Sequence, residues 1–146
     1  MTILINTPNG NIGRPLAEAL LAAGESIVVI QRDPSKVADL AARGVRVVAG
    51  SIDDAATLER AFEGVDHMFW LTPPNYSPTY AEWTSSTAKT AAAVAAKAGV
   101  KRVVVLSSVG AHNDGNGPVT LMRHVEEAFR AQLPNVLALR PAYFME

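Results

Sequence analysis

The stretch Thr2-Ile3-Leu4-Ile5-Asn6-Thr7-Pro8-Asn9-Gly10-Asn11-Ile12-Gly13 decides the fold. It reads as a short β-branched strand that runs into a glycine-bearing turn and then into a helix, because Ile12, Leu16 and Leu20 recur at four-residue spacing and Pro15 suits a first helical turn. A turn of that kind brings backbone N–H groups and a helix N-terminus together, which is where a pyrophosphate sits. The three-glycine dinucleotide fingerprint is incomplete here. Thr7 stands at the position of the first glycine, which allows a tight turn, while Gly10 and Gly13 stand where close backbone approach to pyrophosphate and helix-to-strand packing are needed. Thr7, Asn9, Gly10, Asn11, Ile12 and Gly13 are therefore candidate cofactor-binding residues. The plainer alternative is that the two glycines only let the chain turn and pack.

Outward from this loop, short β-branched runs alternate with segments of helical period. Strands are expected at residues 2–6, 26–31, 45–49, 67–71, 102–107 and 136–140. Asp33-Pro34 reads as an N-cap and first-position proline of a second helix, buried through Val37, Leu40 and Ala41 and ended by Gly44. Leu58 and Phe62 mark a third helix closed by Gly64. A fourth is expected from Ser77-Pro78 to Ala98, and Val125, Phe129 and Leu133 stripe a fifth that stops before Pro134. Six strands with five crossovers favour a doubly wound parallel α/β sheet in the order 3-2-1-4-5-6, all in one domain over residues 1–146. The longest loops, 72–77 and 108–118, leave carboxyl ends of strands, the edge at which open α/β sheets bind ligands.

Composition narrows the classes further. The chain has 146 residues, 49% hydrophobic and 18% charged, which suits one globular domain and excludes a disordered or collagen-like chain. Thirteen basic against fourteen acidic residues give a formal charge of -1, so no nucleic-acid partner is expected. With no cysteine, disulfides, thiolate metal sites and cysteine nucleophiles are excluded together, and neither His67 nor His112 has partners at metal-ligand spacing, so no metal is expected. Residues 1–5 are too short an apolar run for a signal peptide, and residues 91–106 are interrupted by Lys97, Lys101 and Arg102, so a soluble cytoplasmic protein away from membranes is expected.

The series Gly10-Asn11-Ile12-Gly13, Arg32-Asp33-Pro34, Gly44-Val45-Arg46-Val47-Val48-Ala49-Gly50, Gly64-Val65-Asp66, Leu71-Thr72-Pro73-Pro74, Ala98-Gly99-Val100-Lys101-Arg102, Leu106-Ser107-Ser108-Val109-Gly110-Ala111 and Leu139-Arg140-Pro141 runs through the whole chain. In that order it resembles the NmrA-like group of atypical short-chain dehydrogenase/reductases, which are NAD(P)-binding Rossmann proteins. The resemblance implies a nicotinamide cofactor, and it adds Leu71, Thr72 and Pro73 to the expected cofactor-binding residues. It also implies that the chain is a cofactor-binding half. Resembling proteins continue beyond the equivalent of Leu139-Arg140-Pro141 with further strands and helices that close over the nicotinamide, so apolar surface around Tyr143, Phe144 and Met145 is expected to be uncovered and to favour self-association, a homodimer being one form of it.

The second strand bears on which nicotinamide cofactor is bound. NAD sites place an acid about 20 residues past the glycine loop to hold the ribose hydroxyls. Here Val28-Val29-Ile30-Gln31-Arg32 supplies none; Arg32 offers a planar fork to a 2′-phosphate and Lys36 a point charge one helical turn later, which favours NADP (NADPH) over NAD. The alternative is an Arg32 paired with Asp33 and a solvated Lys36. Ser51 stands where similar proteins often carry an aspartate near the adenine, which makes Asp53 the adenine-side candidate.

A Tyr-x-x-x-Lys pair, usual in dehydrogenases of this superfamily, is absent: the tyrosines are Tyr76, Tyr80 and Tyr143. Thr120 and His124 share the spacing, but a threonine hydroxyl is a poor acid at neutral pH. Ser108, at the end of the fifth strand, is a candidate to hydrogen-bond substrate or carboxamide, with an ordinary strand-end serine as the rival reading. His124 can donate a proton near pH 7, against the rival reading of a surface histidine. Tyr76, Tyr80 and Trp83 are candidates to wall a flat, apolar substrate slot. Quinone reductases resembling this chain also lack the pair, so the expected function is NADPH-dependent reduction of quinone-like or small carbonyl acceptors; the alternative is a non-catalytic NADP(H)-binding redox sensor.

Overall fold

A computed structural model describes residues 1–74 and 77–143. Mostly apolar runs form six parallel strands, the inner ones largely buried and the edge strands partly exposed: β1 (Thr2–Ile5), β2 (Ser26–Gln31), β3 (Arg46–Ala49), β4 (His67–Leu71), β5 (Arg102–Leu106) and β6 (Val136–Leu139), in the order β3-β2-β1-β4-β5-β6. Strand order reverses between β1 and β4, which are paired in register from Ile3 opposite His67 to Ile5 opposite Phe69. The expected doubly wound sheet is thus the one observed.

Alternation along the strands divides the interior into two cores. Leu4, Val28, Met68, Trp70, Val103 and Val105 pack with the helices α3 (Ala55–Phe62), α4 (Tyr80–Lys97) and α5 (Pro118–Gln132), where Trp70 meets Phe129 at 5.5 Å between ring centroids. Ile3, Ile5, Ile27, Val29 and Phe69 pack on the opposite face with Ala17 of α1 (Gly13–Ala22), Val37, and Leu40 of α2 (Ala38–Ala42). Ala88, Ala91, Ala92 and Ala95 of α4 are completely buried, and these small side chains let α4 lie close against its neighbours.

The second helix departs from the sequence reading. Residues 34–37 form a 3₁₀ turn, capped by Asp33 whose Oδ1 accepts from the N–H and hydroxyl of Ser35, and only five residues of α-helix follow. Val37, with φ −130° and ψ 22°, separates the two pieces. The first strand also stops one residue earlier than expected. Its role passes to the Asn6 side chain, which donates from Nδ2 to the Leu71 carbonyl at 2.8 Å and accepts from the Leu71 N–H at 2.9 Å, so that a carboxamide extends the β1–β4 ladder. No helix among the described residues is long and apolar enough to cross a membrane. Tyr143 is 89% exposed, whereas Tyr76, Phe144 and Met145 lie outside the described residues.

Candidate functional site

The turn after β1 and the first turn of α1 sit at the switch in strand order. Gly10 donates its N–H weakly to the Thr7 carbonyl at 3.4 Å and accepts from Arg14 N–H at 3.0 Å, closing the loop onto the helix. Gly13 is buried, and a Cβ built on it would stand 1.9 Å from the Thr7 carbonyl oxygen. A Cβ on Gly10 would stand 3.7 Å from the same atom, an ordinary contact. The two glycines thus serve different purposes: Gly13 is required by the protein's own packing, and Gly10 leaves room on the open side. No side chain caps α1, and no acid lies in its first turn. Thr7 Oγ1 is buried without a hydrogen-bond partner among the described residues. An uncapped positive helix end beside an unsatisfied hydroxyl suits an anionic group.

Two cavities open on either side of this loop and share Thr7, Gly10, Pro73 and Pro74. The first, about 540 Å³, brings together Asn9, Gly10, Arg32, Lys36, Asp53 and Pro73 of the expected residues, with Asn6, Gln31, Gly50, Ser51, Ile52 and Trp83 besides. Arg32 forms no ion pair or hydrogen bond among the described residues, since Asp33 is occupied in capping the 3₁₀ turn. The Asp53 carboxyl is held below its usual range by hydrogen bonds from Ser51 and Trp83, with a smaller contribution from the Arg32 charge. This cavity therefore brings together two cations, an aromatic ring and the backbone of the glycine loop.

The second cavity, about 600 Å³, is walled largely by apolar groups: Ile12, Leu71, Leu106, Val119, Met122 and Tyr80, with Asn11, Thr72, Ser107 and Ser108 as polar members. Both volumes lie in the range of small-molecule sites. A ligand with an anionic centre and two arms fits the pair, one arm toward Arg32 and the other toward Ser108.

The two serines are used differently. Ser107 donates its hydroxyl to Glu126 Oε1 at 2.6 Å, whereas Ser108 makes one long bond, 3.3 Å, to the Val109 carbonyl. Glu126 is completely buried on α5 and also accepts from Arg140 at 2.8 and 2.6 Å and from Arg130 at 2.7 Å. Burial alone raises the pKa of its carboxyl, but the donors Arg140, Ser107 and Arg130 outweigh that effect and hold it at about 2. The carboxylate therefore ties α5 to the carboxyl end of β5, where Ser108 begins the loop, and to Arg140 just beyond β6.

Of the expected catalytic pair, Ser108 lines the second cavity and His124 lines neither. His124 is exposed on α5 with Nδ1 3.6 Å from Glu127. The hydroxyl of Thr120 donates to the Asn113 carbonyl and accepts from Asn116 N–H, so it pins the loop after β5. Trp83, expected beside the substrate slot with Tyr80, instead lines the first cavity, and Tyr80 lines the second. Ile52, Val119 and Met122 carry no signal in the sequence, and Gln31, Gly50 and Ser51 appear there only as neighbours of the expected residues. Gly50 carried a signal, being a glycine at a strand end: a Cβ there would stand 2.2 Å from Thr57 Oγ1 at the start of α3.

Residues 8–138 match the protein family described as NAD(P)H-binding. A NAD(P)H azoreductase from Xenophilus azovorans is 32% identical over 148 residues, covering 99% of this chain and 49% of that protein. Among solved structures, the triphenylmethane reductase of a Citrobacter species superposes with a TM-score of 0.87 at 24% identity, over 99% of this chain and 50% of its own. An NADPH-dependent quinone oxidoreductase from Escherichia coli, complexed with NADPH, superposes with a TM-score of 0.81 at 25% identity, over 97% and 49%. The chain spans about half the length of the curated relatives it matches.

Proposed function

From the premise that this chain belongs to the NAD(P)H-binding family, we propose that it holds NADPH across the two cavities and reduces a flat, apolar acceptor of quinone type. The observation that carries the choice of NADPH is Arg32, a guanidinium with no hydrogen bond or ion pair among the described residues, on the wall of the cavity that the glycine loop opens. Lys36 adds a second cation there. Relatives named as azoreductase and quinone oxidoreductase support the acceptor class, since both names describe reduction of conjugated molecules. Assignment to the NmrA-like, atypical short-chain dehydrogenase/reductases and a cytoplasmic location belong to the same proposal.

When bound, the dihydronicotinamide supplies a hydride. The residues of this chain supply position. Gly10 and the first turn of α1 receive the pyrophosphate, Arg32 and Lys36 receive the 2′-phosphate, Pro73 stands where the cavities meet, and Leu71 and Thr72 wall the second. The apolar walls from Leu106, Val119, Met122 and Tyr80 exclude water from a planar acceptor. Of the two serines at the end of β5, Ser108 is the one left to donate to an acceptor carbonyl, because Ser107 is committed to Glu126. A quinone that takes up hydride becomes a hydroquinone anion with its charge spread over ring and oxygens, and water can protonate it; no side-chain acid is required.

Two outcomes follow. Arg32→Ala weakens NADPH by about 1.5–3 kcal/mol, the scale of a hydrogen bond to a charged group, and leaves NADH nearly unchanged in calorimetric titrations. Equal losses for both nucleotides would remove Arg32 from recognition of the 2′-phosphate. His124→Ala changes single-turnover NADPH oxidation by less than about tenfold, whereas loss of a general acid costs typically 10²–10⁴-fold; a hundredfold drop with affinity intact would make His124 the acid. Steady oxidation of NADPH with a panel of quinones tests the activity itself, and binding without turnover would favour the redox-sensor alternative.

A further inference from the structure

We propose that Trp83 is the platform on which the adenine ring lies, and that Asp53 and Tyr80 hold it in place. Trp83 sits in the first turn of α4 and is the one aromatic residue among the described residues that line the first cavity. Its indole Nε1 donates to Asp53 Oδ2 at 2.8 Å, a bond that joins α4 to the loop between β3 and α3. Nε1 lies off the Cβ–Cγ axis, so the bond restrains rotation of the indole about that axis and with it the direction of the ring faces. The Tyr80 ring stacks against Trp83 at 6.2 Å between centroids with 22° between planes, which braces it from the side of the second cavity. Trp83 packs in part against the core and in part lines the first cavity, where Ile30, Ile52 and three prolines are the other apolar members.

The chemistry of the ligand matches this arrangement. In a nucleotide bearing a 2′-phosphate, base and phosphate are attached to adjacent carbons of one ribose. A cavity that takes the phosphate on Arg32 must take the purine within the same space, and the flat π surface it offers there is Trp83. Asp53, which as a free carboxylate would repel the phosphate, has its charge engaged by Ser51 and by Trp83 itself. Asp53 therefore acts as a positioning residue, through the indole, instead of as a ribose ligand. The inference rests on the proposal that this cavity takes the adenosine half of NADPH.

The test uses adenosine 2′,5′-bisphosphate, which carries the base and the 2′-phosphate without the reactive ring. Trp70, the other tryptophan, is completely buried against Phe129, so quenching of fluorescence on titration reports Trp83. Trp83→Phe keeps an aromatic face, so it is expected to retain binding by calorimetry within about fivefold and to lose the quench. Trp83→Leu, with its circular dichroism spectrum unchanged, is expected to bind about 5- to 150-fold more weakly, the range for loss of one base–aromatic stack. Unchanged quenching in Trp83→Phe, or undiminished affinity in Trp83→Leu, would overturn the platform while leaving the nucleotide reading intact. Failure of the unaltered protein to bind the bisphosphate would overturn both.

Discussion

Replacing Gly13 by alanine is expected to weaken NADPH binding by about a hundredfold or more, the largest effect of any single methyl group in the site. The added Cβ would lie 1.9 Å from the Thr7 carbonyl oxygen and 2.8 Å from its carbon, both backbone atoms that no side-chain rotation can move. Either the loop after β1 or the first turn of α1 must shift by more than an ångström, and the groups that converge on the pyrophosphate then diverge. A hundredfold corresponds to about 2.8 kcal/mol, which is within the strain of overpacking a tight contact. The comparison is Gly10→Ala, whose Cβ meets nothing closer than 3.7 Å, so that any loss of affinity there comes from the ligand's own space and not from a displaced loop. Calorimetric titration with NADPH separates the two. If Gly13→Ala bound with unaltered affinity, the loop would not be the pyrophosphate cradle.

The second large effect concerns stability. Glu126→Gln is expected to cost about 3 kcal/mol at neutral pH in denaturant unfolding, because the displacement of the carboxyl from its usual 4.5 to about 2 measures how much better the folded state holds the ionised form. The sign follows from the direction of that displacement. A carboxylate with a depressed pKa stabilises fully above its unfolded value and loses that contribution as pH falls through the folded value, so the difference between the two proteins should hold above pH 4.5 and shrink toward pH 2. Asp66, held at about 2 by Lys101 and by the Thr2 N–H, acts in the same direction in both proteins and cancels from the comparison. Arg130 and Arg140 remain partly exposed and can turn to water, which keeps the loss below that of stranding a fully buried charge. A difference that persists unchanged at pH 2 would mean that Glu126 contributes through packing and not through charge.

Particular residues show what sequence made legible. The strands were readable because parallel strands buried on both faces are continuous β-branched runs, and runs such as Ile27-Val28-Val29-Ile30 have no competing helical period. The broken second helix was not, because Asp33 and Pro34 signal a helix start equally well whether a 3₁₀ or an α turn follows. Trp83 could be put on α4 by periodicity, but which cavity it faces depends on how α4 is rotated against the β3–α3 loop, and its partner Asp53 is 30 residues away. Glu126 stood within an apolar stripe beside Val125 and Phe129. Its donors Ser107 and Arg140, 19 and 14 residues away, are brought to it by two different strand ends, and only its i+4 neighbour Arg130 was visible as a local pair.

The amide clamp between Asn6 and Leu71 has a consequence in time. β1 is the central strand, yet one of its two neighbours is β4, and the residues it clamps are separated by 65 positions. During synthesis at about 5–20 residues per second, β1 waits several seconds before β4 has emerged. Until then one edge of β1 is unpaired and Asn6 has neither of its backbone partners. The phosphate loop that follows it is made well before the strand that fixes its final shape, as expected where closure of a long loop must precede the contact that rewards it.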